Sequence, residues 1–233
     1  ASLFSGATAF NQDISAWDTS KVVQAQFLFS GANSFNQPLN GWNTSSLGRG
    51  HNEYILNGAF RNAHHLNQDL SSWNVQKITS LTKTFQEAKV FNSNIATWDV
   101  ARVTTLQSTF AYAKVFNSNI ATWDVARVTT MKETFYYASA FNSDLSRWDI
   151  AKVTMSVVNA FPDTFTGTNL SHGRLCSAKW LSVKKEANMN PEYICNCSMG
   201  STFVAGNDST LTCKTCTPGK YQEESPSTDW YDC

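Results

Sequence analysis

The seventeen residues KVFNSNIATWDVARVTT at 89–105 recur letter for letter at 114–130, twenty-five positions further on. A fold with one enclosed site has little use for two copies of a segment so close together, whereas a stack of near-identical coils requires them. Six tryptophans mark the period: Trp17, Trp42, Trp73, Trp98, Trp123 and Trp148, at spacings of 25, 31, 25, 25 and 25. Phe-Asn pairs keep step at Phe10-Asn11, Phe35-Asn36, Phe91-Asn92, Phe116-Asn117 and Phe141-Asn142, with Leu66-Asn67 as the variant. A further Phe stands six residues before each pair, at Phe4, Phe29, Phe60, Phe85, Phe110 and Phe135. The longer spacing reflects a six-residue insertion around GRGHNEYILN, between Leu47 and Phe60.

Within one unit Val103, Leu106, Phe110 and Ala113 follow at 3, 4 and 3 residues, the stripe of an amphipathic helix, with Thr104 or Thr105 as N-cap. FNSNIATW sets Ile120 among small polar residues and suits a short strand. The predicted fold class is therefore α/β: a solenoid of short parallel strand plus short helix per coil of about 25 residues. Each Trp is first a packing residue between coils. An exposed Trp–Asn surface would instead suit a glycan. Burying a Trp, two Phe, an Ile and a Val at ~1.5–3 kcal/mol each must offset the ordering of a whole coil, so no coil stands alone.

Two polar columns follow from stacking. Asn11, Asn36, Asn67, Asn92, Asn117 and Asn142 form one, able to bond loop backbone and one another. Asp18, Asn43, Asn74, Asp99, Asp124 and Asp149, each after a Trp, form the other. A cation stands three residues on at Lys21, Lys77, Arg102, Arg127 and Lys152, and where it is missing, at Ser46, the acid is missing too. This co-occurrence predicts Asx-turns with charge neutralisation.

The repeat pattern F-x-x-A-x-x-F-N-x-x-I-x-x-W-D-V-x-x-V-T-x-M, matched by FAYAKVFNSNIATWDVARVTTM at 110–131 and by LFSGATAFNQDISAWDTSKV, resembles the BspA-like leucine-rich-repeat family of bacterial surface proteins. The resemblance covers residues 1 to about 155 and implies a leucine-rich-repeat-like solenoid on secreted or surface-anchored proteins, often adhesive. After Trp148 the period fails. Pro162, Gly167 and Gly173 break NAFPDTFTGTNLSHG, so residues 156–175 read as a closing coil and linker after the six-coil solenoid of residues 1–155.

Residues 176–233 hold every cysteine: Cys176, Cys195, Cys197, Cys213, Cys216 and Cys233. An even, clustered set reads as a disulfide framework made in an oxidising compartment. The run Cys213-x-x-Cys216-x-Pro218-Gly219-x-Tyr221 resembles the ephrin-receptor-like, EGF-related cysteine-rich modules. Six cysteines allow 15 pairings; the sequential one, Cys176–Cys195, Cys197–Cys213 and Cys216–Cys233, is the working choice. Zinc is disfavoured, because Cys195-x-Cys197 is too tight for a knuckle and no histidine lies nearby. Sequons at Asn207, Asn196, Asn169 and Asn43 agree with secretion, Asn207 standing first as a site and Asn43 being held in the Asx-turn column.

The formal charge is zero and only 15 % of residues are charged, against about 25 % in an average soluble domain. No field points to nucleic acid or an anionic membrane surface, and no apolar run approaches the ~18 residues of a membrane span. The chain opens inside a repeat, at ASLFSGATAF, with no initiator Met or signal peptide, and reads as processed or partial. No G-x-S-x-G and no nucleophile–His–Asp set is identifiable. Asp99, Asp124 and Asp149 recur with the repeat, which speaks for a structural role over glycosidase acids or a calcium site. His64-His65, the one histidine pair, are adjacent and seldom co-ligate.

The expected function is therefore that of an extracellular structural or adhesive protein, with no catalytic centre, metal or cofactor. It acts through contacts with itself or with another extracellular protein or glycan. Leu3, Phe4 and Phe10 enter the first coil with no polar cap before them, an apolar edge that suits head-to-tail assembly into a filament. The alternative is a recognition ectodomain that binds a host protein or glycan on the solenoid's sheet face.

Overall fold

The computed structural model describes residues 2–50, 54–153, 163–171, 174–175 and 180, and the backbone of two strands, β1 (Ser201–Ala205) and β2 (Leu211–Thr215). The strands pair antiparallel, with Phe203 opposite Cys213. Neither a helix nor a strand occurs among the described residues of 2–153; their extended pairing is limited to isolated parallel bridges from Ser80 to Thr105 and from Thr105 to Thr130. The expectation of an α/β solenoid built from strand plus helix is thus overturned. The repeat is a stack of coils made from turns.

The reason lies in where the backbone N–H groups go. In the fourth coil (81–105) the N–H groups of Leu81, Lys83, Phe85 and Glu87 donate to the carbonyls of Thr105, at the junction with the fifth coil, and of Gln107, Thr109 and Ala111 within it, at 2.7–3.1 Å. The intervening N–H groups of Thr84, Gln86 and Ala88 turn back to Leu81, Lys83 and Phe85 of their own coil. A helix would send all of them four residues back. Here they alternate between neighbour and self, which gives two tandem turns, 81–84 and 85–88.

The third residue of each turn is left-handed, as in type II turns: Lys83 at φ 57° and Glu87 at 59°, then Ser108 and Tyr112, then Glu133 and Tyr137. None of these six is glycine, and a left-handed L-residue costs roughly 1–2 kcal/mol. The four bonds to the next coil hold them there. Tandem turns also explain the misleading stripe. Each turn has its first and last residues pointing inward, so Leu106, Phe110 and Ala113 are buried at helix-like spacing without a helix.

The core is a set of parallel ring columns. Phe4, Phe29, Phe60, Phe85, Phe110, Phe135 and Phe165 stack with centroids 5.2–5.7 Å apart. Phe91, Phe116 and Phe141 form a second column at 6.0–6.2 Å, each lying on a ring of the first, as Phe110 on Phe116 at 3.9 Å. Trp98, Trp123 and Trp148 form a third at 6.4–6.5 Å. Each indole Nε1 donates to a carbonyl one coil earlier: Trp42 to Ile14, Trp73 to Leu39, Trp98 to Leu70, Trp123 to Ile95 and Trp148 to Ile120, at 2.9–3.1 Å.

Trp180 continues the series, donating to Leu145 O at 2.8 Å while fully buried. A seventh coil is therefore assembled from Thr164, Phe165, Leu170, Leu175 and Trp180, all buried, in a stretch where the sequence shows no period.

Candidate functional site

The asparagine column is a backbone clamp. The side-chain Oδ1 of each Asn accepts the N–H of the Asn one coil later, from Asn11–Asn36 through Asn117–Asn142, at 2.7–2.9 Å. Asn142 passes the pattern to Ser171, whose N–H and hydroxyl both donate to it. In the second polar column Asp18, Asn43, Asn74, Asp99, Asp124 and Asp149 each accept the N–H two residues on, the expected Asx-turn. Among the described residues, Asp18, Asp99 and Asp124 show no charge neutralisation by direct pairing. Among the described residues the one ion pair is Lys132 with Glu133 at 3.8 Å. Asp99 and Asp124 instead bond Ala101 and Ala126 N–H, and Arg102 and Arg127 stand exposed beyond the turn.

Trp42, Trp73, Trp98, Trp123 and Trp148 are at most 7 % exposed, so those rings offer no face to a sugar. Trp17 is 48 % exposed and Leu3 67 %, while Phe4 and Phe10 are partly buried. The equivalent positions one coil on, Leu28 and Trp42, are buried. Phe4, Phe10 and Trp17 supply the first ring of each column in this sequence.

A second exposed aromatic group was not singled out from the sequence, although YY after Phe135 was its visible sign. Tyr112 and Tyr137 stack at 5.5 Å and 4° on the outer side of the tandem turns, with Tyr136 edge-on to both. Their neighbours limit what they offer. A Cβ on Gly167 would come within 2.7 Å of the Tyr137 ring, so the seventh coil lies against that ring.

Asn43 is exposed, its Oδ1 engaged by Ser45 N–H at 3.1 Å. Asn169 is exposed too, and the hydroxyl of its sequon serine, Ser171, is bonded to Asn142. Asn196, Asn207, Cys176, Cys195, Cys197, Cys216 and Cys233 lie outside the described residues, and Cys213 is described only as backbone in β2. The disulfide framework and its pairing therefore lie outside the described residues.

Among the described residues no three His, Cys, Asp or Glu side chains gather as a metal set, and no helix is long and apolar enough to cross a membrane. His65 Nδ1 lies 2.8 Å from Asn33 O, whereas His64 Nε2 is enclosed without a partner. A cavity of about 10 Å³ near Thr19, Leu28, Thr44 and Leu47 marks where threonine replaces the Val75, Val100 and Val125 of later coils.

Neither a curated protein nor a solved structure matches the chain. The family that does match corrects both resemblances drawn from the sequence: its description names no leucine-rich repeat, and no EGF-related or ephrin-receptor-like module is found for residues 176–233. With them go the leucine-rich-repeat and solenoid descriptions. One family model matches residues 1–53 and 54–170, so the chain belongs to the family described as "Mycoplasma protein of unknown function, DUF285".

Proposed function

We propose that this is an extracellular structural or adhesive protein whose subunits join head to tail through the ends of the coil stack. One observation carries the reading: each coil is completed by its neighbours, the Phe85, Phe110 and Phe135 rings stacking in one column and the N–H groups of one coil donating to the carbonyls of the next. A surface that fits a following coil on one side, and is itself a coil on the other, makes a heterologous contact, which builds filaments when the rotation does not close. The six cysteines and four sequons support secretion or the cell surface as the location. On this reading the protein needs no catalytic group, metal or cofactor.

The test is the state of the purified chain, by light scattering and negative-stain microscopy. Polymers that Trp17→Glu abolishes, while the stack still melts cooperatively with a loss of only about 1 kcal/mol, support the proposal. A monomer at high concentration overturns it. The exposed Tyr112 and Tyr137 favour a second reading, a recognition ectodomain binding a host protein or glycan. A monomer that captures a glycan or a cell-surface protein in a Tyr112- and Tyr137-dependent way would select that alternative.

A further inference from the structure

Four side-chain atoms among the described residues are buried without a hydrogen-bond partner: Arg61 Nε, Asn62 Oδ1, His64 Nε2 and Gln86 Oε1. All four lie in one place, the second tandem turn of the third coil (56–80) and the residue stacked on it from the fourth. Arg61 and Gln86 share a column position with Ala111, which has no polar side chain to satisfy. Native interiors leave few such groups, and each costs its full desolvation.

Two other departures from the repeat meet at the same coil. The insertion enters just before it, through Gly48 at φ 80° and Gly50. Leu66 replaces the phenylalanine of the second ring column, interrupting it between Phe35 and Phe91. Asn62 is left-handed at φ 58°, as Glu87, Tyr112 and Tyr137 are at the same position of later coils. Backbone bonding at this turn is nonetheless the same as elsewhere: Asn62 N–H donates to Gln86 O at 2.8 Å and Ala63 N–H to Phe60 O at 3.1 Å, as Tyr112 does to Tyr136 and Ala113 to Phe110. The turn is closed like its neighbours, with worse side-chain satisfaction.

We propose that the Arg61–His64 turn is a built-in breach point of the stack, opening ahead of the other coils and more readily in acid, with His64 as the sensing group. The charged groups that act on His64 are His65 on its own coil and Glu87 and Lys89 on the fourth, while Asn33 of the second coil meets the neighbouring His65. Burial first, then Lys89 and His65, hold the ring below its ordinary value of 6.5, opposed only by Glu87. In the closed turn the ring stays neutral, whereas in the open turn it takes up a proton near the ordinary value. Protection is therefore full above about pH 6.5 and declines as the pH falls from there toward the lowered value.

Native-state hydrogen exchange on the full chain tests this against internal controls. After correction for intrinsic rates, the amides of Asn62 and Ala63 should exchange at least about tenfold faster than those of Tyr112 and Ala113 at neutral pH. The gap should widen on acidification to about pH 5.5. Arg61→Ala with Gln86→Ala, which copies the fifth coil's residue, should narrow the gap. His64→Asn, which copies Asn33 of the second coil, should remove its pH dependence. Equal protection in the two turns, no narrowing in the alanine pair, or an acid response that survives His64→Asn would each overturn the proposal.

Discussion

Replacing Trp123 by alanine tests the ring-column architecture most directly. The indole is 3 % exposed, stacked between Trp98 at 6.5 Å and Trp148 at 6.4 Å, and tilted against Phe110 at 6.1 Å. Truncating a large buried aromatic costs about 3–5 kcal/mol in transfer and cavity terms. The lost indole bond adds less than a full orphan penalty, because Ile95 O still accepts Trp98 N–H at 3.1 Å. That contribution is about 0.5–1.5 kcal/mol, for a total of roughly 4–6 kcal/mol.

Trp17→Ala is the matched control. Its ring is 48 % exposed and meets Phe4 at 5.7 Å, so about half of a full burial is lost, roughly 1 kcal/mol. Trp123→Phe should fall between them, keeping a ring in the column and losing the donor. Calorimetric melting and urea denaturation at one protein concentration, in the monomeric state, read all three. Equal losses for Trp17→Ala and Trp123→Ala, or a Trp123→Ala loss under about 1.5 kcal/mol, would mean that the columns are not what holds the coils together.

Asn117→Ala should cost about 1–3 kcal/mol, since Asn142 N–H at 2.8 Å loses its acceptor, while Asn117→Asp keeps an acceptor and should melt close to the parent. Gly167→Ala should destabilise the seventh coil by at least about 1 kcal/mol through its φ of 73° and the clash with Tyr137. Pairing it with Tyr137→Ala should recover the clash and leave the backbone strain, which thermal melting of the double variant reads. The carboxyls of Asp13, Asp18 and Asp69 accept bonds from Ser15, Ser20 and Ser71 and are held below the ordinary 3.8. Their contribution is complete above that pH and lost as the pH falls through the lowered values, so carboxyl chemical shifts in NMR should titrate below 3.8, and midpoints at or above it would contradict the Asx-turns.

Period, ring columns and asparagine column were legible because stacking puts equal residues on equal positions, so Trp98, Trp123 and Trp148 announce one another. The turn-built backbone was not. Leu106, Phe110 and Ala113 carry a helix-like spacing, and nothing in those letters says that alternate N–H groups leave for the next coil. A closing coil was expected within 156–175, but its register was not legible, because Leu170 follows Phe165 by five residues where six are usual and Trp180 follows at an irregular distance. Charge pairing was over-read: three residues across a turn put Asp99 and Arg102 at one corner without bringing them into contact. The breach at Arg61–His64 had only a faint sign, the odd residues RNAHH in a column of otherwise similar segments.

The direction of the inter-coil bonds has an electrical consequence. On the tandem turns, earlier coils donate forward, as Leu81, Lys83, Phe85 and Glu87 do. Elsewhere on the perimeter later coils donate backward: Thr129 N–H to Thr104, Asn117 N–H to Asn92, and the Trp123 indole to Ile95. A helix aligns its peptide dipoles and accumulates partial charge at its ends; here one side of each coil opposes the other. Adding coils therefore builds up little axial dipole, and electrostatics sets no natural length at which the column should stop.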